Sequence, residues 1–159
     1  MGKTDLNSGE LICLKAMNSI GQRFATGPVM GRWFAGLKER KFLANRCPVC
    51  GRTQIPPREA CAVCRVRVRD FVEVGPKGTI SAYDLVYYAG PDPLTGKVRE
   101  TPYVVLYIML DGVTDQEAFS MELKKEDIAR LKTGARVRPV WAQSTTGSFG
   151  DVLYFELDD

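Results

Sequence analysis

The sequence contains no histidine among its 159 residues. This absence excludes Ser-His-Asp and Cys-His catalysis, and also every metal site that needs an imidazole ligand. It removes the side chain that most often serves as a general base. Acidic side chains such as Asp84, Asp92 and Glu100 are present, but they form no paired constellation in the sequence. We therefore predict that the chain has no catalytic residues of its own.

The sequence also lacks a long apolar run. No segment approaches the roughly 20 apolar residues that a membrane span needs. Residues 1–10 are polar, unlike a signal peptide. We expect a cytoplasmic protein, in which thiols stay reduced and paired cysteines bind metal more often than they form disulfides. The hydrophobic fraction of 45% and the charged fraction of 26% are ordinary for a globular protein.

Four of the five cysteines form two CxxC pairs, separated by ten residues: Cys47, Cys50, Cys61 and Cys64. Each pair bends as a knuckle that turns both sulfurs toward one ion, so two knuckles make a closed tetrahedral site. We predict a structural zinc ion. Iron suits the same four-sulfur geometry, and two disulfides are the other alternative. Gly51 allows a tight turn after the first knuckle, whereas Arg65 stands where a second glycine is expected. Cys13 is predicted to be a buried free thiol.

Basic residues concentrate around these cysteines. Segment 38–69 holds nine Lys or Arg and two Glu, a local balance of +7 in a chain whose net charge is +3. Such a segment suits a nucleic acid, an acidic protein surface or a polyphosphate cofactor, and its other interpretation is a solvated surface that offsets the thiolates. The arginines that flank or follow the cysteines are Arg52, Arg58, Arg65, Arg67 and Arg69.

Residues 28–42 are predicted to form a helix. Thr26 or Gly27 can cap it, Pro28 suits its first turn, and basic residues occupy its last turn. Its apolar stripe contains Val29, Trp33, Phe34 and Leu37. The stripe either packs on the chain's own domain or docks on a partner protein. We predict docking, because a small metal ribbon offers little core to cover the stripe.

The remainder of the chain is predicted to be β-strands with one short helix over residues 125–132. The predicted strands are 71–75, 79–88, 102–111, 116–123, 135–142 and 151–157. The last five, with the helix between the third and the fourth, follow the order of an oligonucleotide/oligosaccharide-binding (OB) barrel. The predicted fold class is mostly β: an N-terminal helix, a rubredoxin-like zinc ribbon, then a five-stranded OB-fold barrel. The predicted regions are an N-terminal arm and docking helix (1–42), the zinc ribbon (43–70) and the OB-fold domain (71–159).

Taken together, these motifs resemble the acyl-CoA-associated zinc-ribbon/OB-fold proteins from about residue 30 to the end. The specific matches are the aromatic helix, C-P-V-C-G at 47–51, P-P-R at 56–58 and the second CxxC pair. Weaker matches are G-T-I at 78–80, P-Y-V-V at 102–105 and G-A-R-V at 134–137. Departures from the family pattern are Arg65, the extended N-terminal arm and the longer loop at 89–101.

The resemblance implies a non-catalytic accessory subunit in a hetero-oligomer with an acyl-CoA enzyme. Its partner would supply the catalytic cysteine and histidine, in agreement with the missing histidine. We predict a thiolase partner, of which benzoylsuccinyl-CoA thiolase is an example, with a CoA thioester near the shared interface and the five arginines contacting CoA or the partner. An acyl-CoA hydratase is an alternative partner.

Two other function classes stay open. One is a single-stranded nucleic-acid-binding module, in which bases would stack on exposed tyrosines. The candidate stacking residues are Tyr83, Tyr87, Tyr88, Tyr103 and Tyr107. The other is an independent enzyme, for which the sequence offers isolated acids only.

Overall fold

The structure, a computed structural model, describes residues 25–92, 95–114 and 118–158. Cys13 lies outside this part of the chain. The described residues form one α-helix, α1 (Gly27–Lys38), and two 3₁₀ helices, Lys125–Arg130 and Phe149–Asp151. The strands are β1 (Phe42–Arg46), β2 (Thr53–Gln54), β3 (Asp70–Val74), β4 (Gly78–Val86), β5 (Tyr103–Leu110), β6 (Phe119–Glu122), β7 (Arg136–Trp141) and β8 (Val152–Leu157). Among the described residues, no helix has the length and hydropathy that a bilayer span requires.

The first sheet is three-stranded, in the order β2-β1-β3. Strand β1 runs antiparallel to both neighbours, so that Asn45 faces Gln54 on one side and Phe42 faces Val74 on the other. The strand predicted at 71–75 therefore belongs to the ribbon sheet. Strands β1 and β3 lie across the boundaries predicted after residues 42 and 70, and the division into three regions stays a prediction.

The second sheet has five antiparallel strands in the order β6-β5-β4-β7-β8. A parallel bridge joins Leu123 to Phe155, and the Lys124 amide donates to the Phe155 carbonyl at 2.7 Å. This bridge brings the end of β6 against β8 and closes the barrel, since these are the third and fifth barrel strands. The five-stranded OB-fold barrel is confirmed. The element between its third and fourth strands is a 3₁₀ helix, shorter than the predicted helix over 125–132.

Aromatic rings from all three parts of the molecule meet in one core. Trp33 of α1 lies 5.9 Å, between ring centroids, from both Phe42 of β1 and Phe119 of β6. Phe42 also contacts Trp141 and Phe155 of the barrel, at 5.1 and 6.2 Å. Trp33, Phe42 and Phe155 are fully buried. The helix, the ribbon sheet and the barrel therefore share one apolar core, and the contacts in that core hold the three parts together.

The helix ends four residues earlier than predicted. The Arg40 amide donates to Leu37 and the Lys41 amide to Gly36, each at 2.9 Å, which is a Schellman motif with Arg40 at a φ of 60°. Glycine normally occupies that position, so the sequence gives no stop signal. The Arg40 guanidinium donates to the carbonyls of Ala142 and Gln143, at 3.3 and 3.2 Å, and fixes the helix end to the loop after β7.

Candidate metal centre and basic cleft

The two CxxC knuckles have the same local hydrogen bonds. In the first, the Cys47 amide donates to Arg52 at 2.8 Å and the Gly51 amide donates to Cys47 at 3.0 Å. In the second, the Cys61 amide donates to Val66 and the Arg65 amide donates to Cys61, each at 2.9 Å. The residue after each knuckle has a positive φ, 71° at Gly51 and 57° at Arg65. Arg65 thus adopts the glycine conformation despite its side chain, at a cost of roughly 1 kcal/mol.

The four sulfur atoms form a compact cluster. All lie within 4.8 Å of one another, and the Sγ atoms of Cys50 and Cys61 are 3.8 Å apart. A regular tetrahedron with metal–sulfur bonds of about 2.3 Å has edges of about 3.8 Å, so this spacing fits one tetrahedral ion. All four residues are free cysteines, which sets aside the disulfide alternative. The donor set therefore fits a zinc or iron ion with four protein ligands.

The thiols do not all ionise easily without a cation. Hydrogen bonds from the amides of Cys64 and Val63 lower the pKa of Cys61 to about 7. The hydrogen bond with Cys50, together with burial, raises the pKa of Cys64 to about 12. Adjacent thiolates repel one another, so the cluster keeps protons until a positive ion replaces them. Metal binding here must release protons, as it does in thiolate sites generally.

A buried polar network joins β1 and β2, which flank the first knuckle, to the second knuckle. The Asn45 amide nitrogen donates to the Arg58 carbonyl at 2.7 Å, and the Gln54 side chain donates to Asn45 at 3.3 Å. The Gln54 oxygen in turn accepts the Ala62 amide at 3.0 Å, inside the second knuckle. Asn45 and Gln54 are fully buried. These bonds hold the second knuckle against β1 and β2, and the sequence motif did not identify either residue.

A second set of bonds joins the ribbon to the barrel. The Thr53 amide donates to the Thr114 hydroxyl at 2.9 Å, and the Thr114 amide donates to the Thr53 hydroxyl at 2.7 Å. Thr53 is in β2, next to the first knuckle, whereas Thr114 is in the loop after β5. The position of the metal cluster relative to the barrel is therefore fixed by reciprocal hydrogen bonds.

A basic cleft of about 770 Å³ separates α1 from the ribbon. Its charged lining consists of Arg32, Arg67, Arg69 and Glu59, and its apolar lining includes Phe71. The Arg32 guanidinium lies over the Phe71 ring, 4.9 Å from its centroid. Of the five predicted contact arginines, Arg67 and Arg69 line this cleft. Arg58 instead lines a smaller cavity beside Trp33, and Arg65 is exposed near the metal cluster.

The predicted docking stripe of α1 faces inward. Trp33 and Leu37 are fully buried and Val29 is 7% exposed, while Phe34 is half-buried and packs edge-on against Phe149 at 5.0 Å. The premise that the ribbon leaves this stripe uncovered is wrong, because Phe42 of the ribbon strand β1 and Phe119 of the barrel strand β6 both cover Trp33. Trp33 and Leu37 are core residues, which is the alternative that the sequence left open.

The same helix covers part of the surface that OB folds use for nucleic acids, the loops after the first and fourth barrel strands. The loop after β7, the fourth barrel strand, lies against the end of α1, where the Thr145 hydroxyl donates to the Lys38 carbonyl at 2.7 Å. Two of the candidate stacking residues are also engaged. Tyr103 stacks under Arg99 at 3.7 Å, and Tyr107 donates to Asp84 at 2.9 Å. These contacts occupy part of the surface that nucleic-acid binding would need, whereas Tyr87 and Tyr88, in the loop after β4, are 73% and 81% exposed.

Ribbon, metal cluster and barrel define a zinc-ribbon/OB-fold protein. The family model described as the rubredoxin-like zinc ribbon domain of ChsH2 matches residues 34–70. The adjoining model, the C-terminal OB-fold domain of ChsH2, matches residues 71–142. Together the two models match well over half of the chain. The chain belongs to the ChsH2 zinc-ribbon/OB-fold family, which confirms the resemblance drawn from its motifs.

Two relatives carry functional names. A DUF35 domain-containing scaffold protein of Methanocaldococcus jannaschii is 33% identical over 95 residues, which cover 58% of this chain and 64% of that protein. A probable enoyl-CoA hydratase alpha subunit of Thermomonospora curvata is 32% identical over 78 residues, covering 49% of this chain and 23% of that protein. The match thus spans less than two thirds of either relative.

Two solved structures share the fold. A DUF35-family protein of unknown function from Sulfolobus solfataricus superimposes with a TM-score of 0.60 at 21% identity, covering 83% of this chain and 87% of that one. The Ltp2-ChsH2(DUF35) aldolase superimposes with a TM-score of 0.59 at 24% identity, covering 85% of this chain and 98% of that one. At these identities the likeness concerns architecture alone.

Proposed function

We propose that this chain is a non-catalytic, zinc-binding accessory subunit of an acyl-CoA enzyme, with a thiolase-like catalytic subunit as its partner. The observation that carries the proposal is a closed four-sulfur cluster in a chain without histidine. Four protein ligands leave no open coordination position for a substrate, so the cluster suits a structural role. The names of the relatives, a scaffold protein and an enoyl-CoA hydratase alpha subunit, support an accessory role beside acyl-CoA chemistry.

Zinc would be held by Cys47, Cys50, Cys61 and Cys64, and it would supply folding free energy to the ribbon. A segment of about 30 residues buries too little apolar surface to fold without such help. The Asn45–Gln54 network and the Thr53–Thr114 bonds then transmit the fixed knuckle geometry to β1, β2 and the barrel. The ion keeps the ribbon rigid, and the reaction itself takes place on the partner subunit.

The basic cleft is the proposed contact for CoA. Its positive charge comes from Arg32, Arg67 and Arg69. Its apolar walls are the ring of Phe71 and the first turn of α1, at Pro28 and Val29. Phosphate groups pair well with arginine, because the guanidinium presents several donors in a fixed plane. A cleft with this lining suits the adenosine and phosphate end of CoA, and leaves the thioester free to reach the partner's active site.

The cleft is tested by charge reversal in the assembled complex. Arg67→Glu combined with Arg69→Glu should weaken CoA binding, measured by calorimetry, by about tenfold or more, since each charged hydrogen bond contributes about 1.5–3 kcal/mol. The loss should be larger at low salt, where screening is weakest. Lys97→Glu combined with Lys132→Glu makes the same change in net charge on the barrel, and should leave binding unchanged. If both double variants bind CoA with the same affinity, the cleft arginines do not contact CoA and are ordinary solvated surface residues.

The accessory role is tested by turnover. The purified chain alone should catalyse neither thiolysis nor hydration of acyl-CoA substrates, because it has no histidine and no open metal position. The complex with its catalytic subunit should catalyse thiolysis. Turnover by the chain alone would contradict a non-catalytic role. If the complex instead hydrates an enoyl-CoA, the catalytic partner is a hydratase and not a thiolase.

A further inference from the structure

The end of the ribbon carries two apolar pairs that face solvent. Val49 and Val63 are 68% and 60% exposed, and Pro48 and Ala62 beside them are exposed as well. Each pair occupies the middle of one CxxC knuckle. Because the four cysteine sulfurs lie within 4.8 Å of one another, the two turns meet at the same end of the ribbon. The exposed apolar residues of this end, called here the ribbon tip, are Pro48, Val49, Ala62 and Val63.

The ribbon tip has a basic border. Arg46 precedes the first knuckle, Arg65 follows the second, and both are exposed. Between Arg46 and Arg69 the sequence has a single acidic residue, Glu59. A partner surface that covers the tip must therefore offer apolar contacts in its centre and carboxylates at its edge.

The ribbon tip is also rigid. Each knuckle is closed by an amide hydrogen bond, from Cys47 to Arg52 at 2.8 Å and from Cys61 to Val66 at 2.9 Å. The amides of Val49 and Cys64 point at the sulfurs of Cys47 and Cys61, each at 3.4 Å. An apolar surface held in one conformation loses little entropy on binding, which favours association.

We propose that the ribbon tip inserts into an apolar pocket with an acidic rim on the catalytic subunit, and that Arg46 and Arg65 pair with that rim. The proposal rests on the proposed function, since it requires a catalytic partner. A nucleic acid would use the arginines but has no pocket for exposed valines at its phosphates. A second copy of this chain would bring two basic tips together, and their charges repel.

The decisive variant is Val49→Ser combined with Val63→Ser. Both side chains are exposed, so metal content and melting temperature should not change. The affinity of the full chain for its purified catalytic subunit, measured by calorimetry, should fall at least tenfold. The matched control is Val98→Ser combined with Leu153→Ser, one residue in the loop between β4 and β5 and one in β8, which are 63% and 51% exposed. The control should bind within about twofold of the wild type, as expected for a surface outside the interface.

A second variant tests the border. Arg46→Glu combined with Arg65→Glu should slow association and reduce its dependence on salt. If the Val49→Ser, Val63→Ser variant keeps its metal and binds the catalytic subunit with wild-type affinity, the docking role of the ribbon tip is refuted. The proposed function is not affected by that result. A chain that assembles with no acyl-CoA enzyme would overturn both. A third outcome is that the chain binds a single-stranded oligonucleotide, and that this binding is lost in the arginine variant but kept in the serine variant. That outcome would refute docking into a protein pocket and would favour a nucleic-acid partner.

Discussion

Replacement of Trp33 separates a packing role of α1 from a docking role. The indole is fully buried and lies 5.9 Å from the rings of Phe42 and Phe119. Truncation of such a side chain to alanine costs about 3–5 kcal/mol, the lost transfer free energy together with the cavity left behind. For a chain of this length, that loss corresponds to a fall in melting temperature of about 6–20 °C. A docking role predicts the opposite, an unchanged melting temperature and a weaker complex.

The indole nitrogen makes Trp33→Phe a sharper companion variant. Trp33 Nε1 is buried without a hydrogen-bond partner among the described residues. Phenylalanine is roughly 40 Å³ smaller, which costs about 1 kcal/mol at about 24 cal/mol per Å³ of cavity. It also removes the unpaired donor, whose burial costs about 1–3 kcal/mol. We expect Trp33→Phe to be close to neutral.

Urea and thermal unfolding of both variants, followed by calorimetry with the catalytic subunit, test this reasoning. Leu153→Ala, on the exposed side of β8, is the control and should change the free energy of unfolding by less than about 0.5 kcal/mol. The folded fraction of Trp33→Ala should bind the partner with wild-type affinity. If Trp33→Ala melts with the wild type and binds more weakly, the packing role is refuted and the docking hypothesis returns.

Two further predictions concern the metal cluster and the loop beneath α1. Cys61→Ser should reduce the metal content from one equivalent per chain to nearly none and unfold the ribbon, which elemental analysis and circular dichroism measure; a full equivalent in the variant would contradict the cluster. The Asp151 carboxyl accepts amides from Thr146, Gly147 and Ser148, at 2.9, 2.7 and 3.1 Å. Burial raises its pKa, but these bonds prevail and lower the pKa to about 2. Since the pKa of an unfolded aspartate is about 3.9, the stabilising contribution of Asp151 is complete above about pH 5 and is lost as the pH falls toward 2. Asp151→Asn should therefore melt below the wild type at pH 7, and the gap should close over that range; a constant gap would refute the role of the carboxylate.

The metal cluster and the barrel order were predictable because their signals are local. A CxxC pair fixes two sulfurs within one turn, and the strands alternate inner and outer residues with a period of two. The strand ends were less predictable. Residues 79–88 were predicted as a strand, and β4 covers Gly78–Val86. At its start a Cβ on Gly78 would lie 2.6 Å from the Met109 carbonyl oxygen, a constraint set by the neighbouring strand.

The rest depends on contacts between distant residues. An apolar stripe on a helix has the same pattern whether it faces its own barrel or a partner, so the burial of Trp33 could not be read from α1. Arg40 and Arg65 adopt a positive φ. Because neither is a glycine, the sequence does not predict this backbone conformation. In the cleft, Arg32 contacts Phe71, although the two residues lie far apart in the sequence. The basic segment identified from the sequence, residues 38–69, contains neither of them.

The ribbon, the helix and the barrel act as one unit, and this has a consequence for assembly. Trp33 and Phe42 place the helix and β1 in the barrel core, and Thr53 and Thr114 join β2 to the loop after β5. The ribbon tip therefore has a fixed direction relative to the basic cleft. A partner that held the tip would fix the orientation of the cleft arginines, with no further ordering of the chain. A metal site without catalytic chemistry would then contribute to catalysis through position, since bound CoA would enter the partner's active site from one defined direction.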